Sequence, residues 1–382
     1  MMVAMIAPVT LHYQRVAFVL AAIGMLAAFV VPLSSEPTIG LFARPALLAA
    51  TLLTAALYAG AAFVSVPLSI GIALAGVLLG CTMTLALLRD DTIAGYAVWG
   101  FWSAVLANWI AAWLCVARLA SVKPHDKIVA RSIDLAIPLL FGAFLFYLWE
   151  IAVRGFGVPP VLFPPPSLIA GRFFGSLWTL WDDFFQTFIL GVLSGYLIGC
   201  GAGFLVAVVA HRFTFLGRGL LPVGNFVSAL PIVGIAPIMV MWFGFDWPSK
   251  AAVVVVITFF PMLVNTLAGL DAAGHIERDL MRSYGAAQRQ TLQKLYLPAA
   301  MPFIFNALKI NSTLAFIGAI VAEFFGTPTV GIGFRISIEA GRMALDMVWA
   351  EIALAALAGM AFYGIVALAE RATTFWHPSY RT

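Results

Sequence analysis

The sequence is poor in charge, cysteine and histidine, and each shortage excludes a class of protein. Only 10% of its 382 residues are charged, whereas 63% are hydrophobic. A soluble domain carries about 25% charged residues, so the chain cannot be a water-soluble globule. The three cysteines, Cys81, Cys115 and Cys200, lie far apart in apolar stretches, which excludes a disulfide framework. None of the five histidines forms a pair with metal-ligand spacing, so we expect no metal site and no cofactor.

Motifs for catalysis are also missing. The sequence has no G-x4-G-K-[ST] phosphate loop, no nucleophile elbow and no metalloprotease signature. Gly195, Gly199 and Gly203 resemble part of a dinucleotide-binding fingerprint, but no strand precedes them. Their four-residue spacing is more typical of closely packed membrane helices. We therefore expect no catalytic residue and no enzyme activity, and any energy that the protein uses must come from another subunit or an ion gradient.

Long apolar segments are abundant, and they predict an all-α polytopic membrane protein. A span needs about 20 apolar residues, and its backbone groups must be satisfied within the membrane, as they are in a helix. About ten segments fit a transmembrane helix, namely 16–33, 45–64, 67–88, 95–117, 134–152, 187–208, 220–243, 251–270, 302–325 and 348–369.

Lysine and arginine predict the orientation of these spans. With the N-terminus inside, fourteen of the 21 basic residues face the cytoplasm and seven face outward. Basic residues concentrate in cytoplasmic loops, so both termini are expected to be cytoplasmic. The net charge of +4 then reflects topology, and no nucleic-acid partner is expected.

Polar residues at 118–133 divide the chain into two parts. We predict a four-helix membrane extension at 1–130, whose role the sequence does not indicate. A six-helix core follows at 131–382.

The second half contains a charged island at 275–310, between two long apolar segments. Six of its charged residues surround Gly285: Glu277, Arg278, Asp279, Arg282, Arg289 and Lys294. Gly285 permits a tight turn between two short helices, and Pro298 is expected to end one helix and start a new direction. These helices would expose Ala286, Ala287, Gln288 and Arg289 at their corner. The alternative is an ordinary solvated loop.

Two features of the later spans are unusual for helices in lipid. Pro231, Gly234 and Pro237 interrupt the span at 220–243, which predicts either a flexible wall of a polar path or a simple kink. Glu323 lies deep in the span at 302–325, where a carboxylate is costly and therefore suggests function. It could gate a path or pair with Arg335 or Arg342.

The island resembles the cytoplasmic "EAA" signature of permease subunits of ABC importers. Gly285, nine intervening residues, Leu295, Leu297 and Pro298 match the later part of that signature, with Leu295 in place of isoleucine. Further similar blocks are LFPPPS (162–167), 229–245, FFPMLVNTLAG (259–269), FIGAIVAEFFG (316–326) and GIGF (331–334). The likeness covers 135–380 and is greatest to the taurine, sulfonate, nitrate and thiamine-pyrimidine-precursor branch. The opening Glu-Ala-Ala of the signature is here Asp279-Leu280-Met281, which argues for a branch-specific ATPase.

This resemblance implies an inner-membrane permease subunit of a bacterial ABC importer. Its partners would be a cytoplasmic ABC ATPase, a periplasmic substrate-binding protein, a second copy of the permease and the lipid bilayer. The segment 275–298 would couple to the ATPase through Asp279, Gly285, Ala286, Ala287, Arg289, Leu297 and Pro298. A translocation path would include Pro231, Gly234, Pro237 and Glu323.

The substrate expected from this branch is a small polar solute, with a pyrimidine or other vitamin precursor favoured over taurine, sulfonate or nitrate. One rival function is an ion-coupled secondary transporter, which would work without an ATPase and would have paired broken helices in repeated halves. A second rival is a membrane scaffold that transports nothing.

Overall fold

The computed structural model describes residues 2–35, 44–89, 93–122, 124, 126–228, 230–326 and 329–376. Helices account for nearly all regular structure in these ranges, apart from one isolated bridge between Ser34 and Ala97. The chain forms two compact units, residues 1–168 and 169–382.

The described residues of the first unit form five long helices. They are α1 (Met2–Val30), α2 (Pro45–Phe63), α3 (Val66–Leu87), α4 (Trp99–Ser121) and α5 (Lys127–Gly155). Helix α3 has Pro67 in its first turn, where its missing N–H costs nothing, which confirms the predicted separation of α2 from α3.

Buried polar side chains join these helices inside an apolar core. Tyr58 of α2 is fully buried and donates a hydrogen bond to the Asn108 side chain of α4. Arg118 of α4 is also buried, and its Nη1 donates to the Ala61 carbonyl oxygen of α2 at 2.9 Å. Within lipid, each such polar group needs a partner in the protein, and these two find it on a neighbouring helix.

Nine further helices are described, and all lie in the second unit except the first three residues of α6. They are α6 (Pro166–Gly175), α7 (Leu177–Arg212), α8 (Thr214–Ser228), α9 (Ile232–Phe243), α10 (Trp247–Asp271), α11 (His275–Ser283), α12 (Gln288–Glu323), α13 (Ile332–Gly341) and α14 (Leu345–Thr373). Helices α7 and α12 each include a π-helical stretch, Phe185–Leu193 and Leu292–Tyr296.

Helix α10 packs closely against α7 through the predicted glycine face. A β-carbon on Gly195 would lie 2.6 Å from the Ala251 carbonyl oxygen, and one on Gly203 would lie 2.5 Å from that of Phe259. Only glycine permits this approach, so the prediction that these glycines serve helix packing is confirmed.

Eight described helices are long and apolar enough to span a membrane, and two shorter apolar helices are Tyr13–Ala28 and Ile232–Phe243. The all-α polytopic prediction is thereby confirmed. One expected span differs, because 220–243 is divided between α8 and α9. The boundary between the two compact units lies between residues 168 and 169. The predicted functional division at residue 130 stays a prediction.

Candidate functional site

The predicted coupling segment, residues 275–298, is called the coupling segment below; it begins with α11 and turns sharply at Gly285. The φ angle of Gly285 is 63°, in the left-handed region that favours glycine. The N–H of Ala286 donates to the Met281 carbonyl oxygen at 3.0 Å and so satisfies a free acceptor at the end of α11. The expected turn between two helices is therefore present.

The next helix, α12, starts immediately after this turn. The Ala287 N–H donates to Gln290 Oε1 at 2.9 Å, which satisfies one of the free donors at the start of the helix. Ala287, Gln288 and Arg289 are exposed and Ala286 is half-buried. The corner residues predicted to face a partner are thus accessible in this chain.

Helix α11 also presents an apolar stripe that the sequence analysis missed. Ile276, Leu280 and Tyr284 are 83%, 54% and 80% exposed. Their four-residue spacing puts them on one helix face, and this spacing was the available sequence signal. Asp279 lies beside them, exposed and 3.5 Å from Arg282 Nη1. An exposed apolar surface rimmed by charge is typical of a protein-binding site.

The prediction that Pro298 ends a helix is wrong. Helix α12 continues from Gln288 to Glu323, with Leu297 and Pro298 half-buried inside it. The π-helical stretch Leu292–Tyr296 precedes Pro298, which occupies the first turn of the following α-helical part. Proline has no N–H to donate, and this costs little where the hydrogen-bond register changes, so the chain stays helical.

Glu323 ends α12, about 50 Å of helix away from the corner at Gln288. Only 3% of Glu323 is exposed. Its carboxylate accepts hydrogen bonds from Thr187 Oγ1 at 2.8 Å and from the Gly333 N–H at 2.7 Å. The carboxylate therefore ties α7 and the start of α13 to the end of α12.

Asp183 of α7 forms a second tie to α13. Its carboxylate accepts the Gly331 N–H at 2.6 Å and Arg335 Nε at 2.8 Å. The hydrogen bond between Arg335 and Asp183 raises the pKa of the Arg335 guanidinium, which keeps Arg335 charged. Arg342 lies 3.2 Å from Glu339. Among the described ion pairs, neither arginine pairs with Glu323 as the sequence had suggested.

Glu351 of α14 is another buried carboxyl group of this region. It is fully buried, and neither of its oxygens has a hydrogen-bond partner in the described chain. Charges that act on it include those of Asp183, Arg335 and Glu323. Packing of α14 within the second unit keeps Glu351 away from solvent.

The interrupted span breaks at Pro231 and not at Pro237. Pro231 immediately precedes α9, and the Gly234 N–H donates to the Pro231 carbonyl oxygen at 2.9 Å. Pro237 lies within α9. Pro231 and Gly234 are exposed in this chain, so the three residues do not share the buried surroundings of Glu323.

Residues 195–375 match the family described as "Binding-protein-dependent transport system inner membrane component". The formylaminopyrimidine transport permease protein ThiX of Halalkalibacterium halodurans is 33% identical over 208 residues, which are 53% of this chain and 81% of that protein. The riboflavin transport system permease protein RibX of Chloroflexus aurantiacus is 29% identical over 247 residues, 64% of this chain and 91% of that protein. The taurine transport system permease protein TauC of Escherichia coli is 26% identical over 261 residues, 65% of this chain and 92% of that protein.

The chain belongs to this permease family. It is thus a multi-pass membrane protein and a translocating subunit of an ABC transporter, without enzymatic activity of its own. The matched region of the permease holds the whole coupling segment and all of α9 to α13.

Proposed function

We propose that this permease imports a small polar solute that a periplasmic binding protein delivers, with energy from a cytoplasmic ABC ATPase. The observation that carries the proposal is the exposed stripe of Ile276, Leu280 and Tyr284 beside the Gly285 corner. A helix that leaves such side chains outside the fold of its own chain fits the groove of a protein partner.

The coupling segment makes the ATPase contact in this proposal. Asp279, Ala286, Ala287 and Arg289 touch the ATPase, and Gly285 sets the angle between α11 and α12. Leu297 and Pro298 continue the segment into the membrane helix. Two copies of the permease enclose the pathway, and closure of two ATPase subunits changes its access from outward to inward.

The pathway is lined in part by α9. The chain breaks at Pro231 before this helix, and Gly234 and Pro237 follow within the helix. This part of the wall can therefore bend when the pathway changes from outward to inward access. Glu323 acts on this wall indirectly, by fixing the end of α12. Ala322 beside it packs in one apolar cluster with Ala236 of α9.

The proposed substrate class is a pyrimidine or another vitamin precursor. Support comes from the names of two relatives, a formylaminopyrimidine permease and a riboflavin permease. Other relatives are named for taurine, aliphatic sulfonates, bicarbonate and nitrate, so the binding protein must decide among these classes.

The proposed orientation puts both termini and the coupling segment in the cytoplasm of a bacterial inner membrane. It rests on the fourteen-to-seven distribution of basic residues. The helices before residue 131 form an extension outside the six-helix core.

Affinity purification of the tagged chain from its own membranes, followed by mass spectrometry, tests the assembly. We expect an ABC ATPase to co-purify, and Gly285→Val to abolish ATP-dependent uptake while the protein still inserts. Valine strains the left-handed backbone there. Gly171→Val is the control, because a β-carbon at Gly171 meets nothing within 4 Å and its φ is ordinary. A chain that purifies alone and transports in liposomes without ATP would instead establish the secondary transporter.

A further inference from the structure

Four residues from four helices form a cluster where α11 meets the ends of α7, α10 and α12. They are Arg278 of α11, Tyr296 of α12, His211 at the end of α7 and Asp271 at the end of α10. We call this cluster the joint. The joint is separate from the exposed corner at 286–289, which faces the ATPase in the proposed function. It is also separate from the buried carboxylates near Glu323, at the other end of α12.

Arg278 connects α11 to two other helices. Its guanidinium carbon lies 5.7 Å from the centroid of the Tyr296 ring, and its Nη2 donates to the Asp271 carbonyl oxygen at 2.7 Å. The first contact reaches the start of α12 and the second reaches the end of α10. One side chain thus links α11 to the helices that follow and precede it.

Tyr296 extends these links to α7. The His211 ring meets the Tyr296 ring edge to face, with centroids 4.7 Å apart. The His211 Nδ1 also lies 3.2 Å from Asp271 Oδ1. The four residues therefore close a ring of contacts around the ends of α7, α10, α11 and α12, in which Asp271 contributes both its carboxylate and its backbone carbonyl.

Helix α11 depends on this ring for its attachment. It has no buried residue. The Arg282–Asp279 pair and the Ser283 hydroxyl bond stay within α11 itself. In the described chain, the only side-chain hydrogen bonds, ion pairs and ring contacts that lead from α11 to another helix are those of Arg278. Without them, no side-chain hydrogen bond, ion pair or ring contact in the described chain links α11 to another helix.

We propose that Arg278 and Tyr296 are positioning residues for coupling, which transmit the movement of α11 to α7, α10 and α12. The inference rests on the proposed function, because it assumes that the ATPase moves α11. A helix held only at its ends can turn without moving its neighbours. A helix clamped through Arg278 must displace the ends of three membrane helices together.

The test compares Arg278→Leu, Tyr296→Leu and Tyr296→Phe in proteoliposomes that hold the permease with its co-purified ATPase and binding protein. Phenylalanine keeps the ring that Arg278 and His211 contact, whereas leucine removes it. Arg218→Leu is the charge-matched control, since it also removes one predicted cytoplasmic cation but lies outside the joint, on the exposed part of α8. Solute taken up and ATP hydrolysed are measured in the same vesicles.

We expect both leucine variants at the joint to keep the ATPase bound but to take up about tenfold less solute per ATP hydrolysed. Tyr296→Phe and Arg218→Leu should retain the wild-type ratio. The double leucine variant should fall by less than the product of the two single losses, because both substitutions remove the shared contact between Arg278 and Tyr296.

Two results would overturn the proposal. An unchanged uptake-to-ATP ratio in the leucine variants would show that the joint carries no movement. Loss of the ATPase, or failure to insert, would show that these residues only support docking or folding. A wild-type permease that binds no ATPase would refute the proposed function first, so the two failures are distinguishable.

Discussion

Three of the buried carboxyl groups of the second unit, Asp183, Glu323 and Glu351, differ in how their charge is compensated. Asp183 accepts hydrogen bonds from Arg335 and a backbone N–H. Glu323 accepts from Thr187 and a backbone N–H, and the buried Lys250 adds a favourable charge. Glu351 has neither hydrogen bond nor solvent in the described chain. An ionised group in that position would be costly, so Glu351 fits this site as a neutral acid.

This difference predicts opposite results for two conservative substitutions. Glu351→Gln, which is close in shape to the neutral acid, should change the free energy of unfolding by less than about 1 kcal/mol. Asp183→Asn leaves Arg335 without its charged partner and should destabilise the unit by about 3 kcal/mol. Thermal unfolding of the purified permease in detergent measures both. A larger loss for Glu351→Gln than for Asp183→Asn would show that Glu351 is ionised and paired.

At the scale of elements, the contact between α7 and α10 is set by backbone proximity. A β-carbon at Gly203 would lie 2.5 Å from the Phe259 carbonyl oxygen and 3.0 Å from the Met262 β-carbon. Gly201, two residues earlier on the same helix, faces open space. Helix packing therefore requires glycine at position 203 but not at position 201 of the same helix.

Alanine at these two positions should therefore act differently. Gly203→Ala should destabilise the protein by about 1–3 kcal/mol, because a backbone carbonyl on α10 has to move. Gly201→Ala should be neutral or stabilising by up to about 1 kcal/mol, since alanine favours the helix. Unfolding midpoints in detergent compare them. Equal effects of the two substitutions would mean that α7 and α10 lie farther apart.

At the scale of the whole molecule, two divisions of the chain have to be distinguished. Composition predicts a functional boundary at residue 130. The boundary between the two compact units lies instead between residues 168 and 169, so α5 is part of the first unit. The relatives described above cover 53% to 65% of this chain, so about a third or more lies outside each alignment. The family match at 195–375 lies within the second unit.

Truncation separates the two divisions. We predict that a chain starting at Asp126 inserts and still binds the ATPase, because it keeps all six core spans and the Asp126 cap of α5. A chain starting at Ile169 lacks α5 and should lose the complex. Co-purification of the ATPase with each truncated chain gives the answer. If the chain starting at Ile169 also retained the ATPase, the functional boundary would lie between residues 168 and 169.

Sequence reasoning predicted best the features that depend on neighbouring residues. The Gly285 turn, the glycine face of α7 and the break before α9 each follow from a backbone preference or a helical spacing. It failed at Pro298, where a π-helical stretch let α12 continue. It also missed the exposed stripe on α11, although the spacing of Ile276, Leu280 and Tyr284 was visible.

The sequence by itself determined the class of the protein, because spans in lipid satisfy their backbone locally and 63% hydrophobic residues leave no soluble alternative. Only the tertiary structure decided which polar groups meet. Asp183 and Arg335 are 152 positions apart, and His211 and Tyr296 come from different membrane helices. No local preference encodes such pairs, since they form only when packed helices bring distant side chains into one buried place.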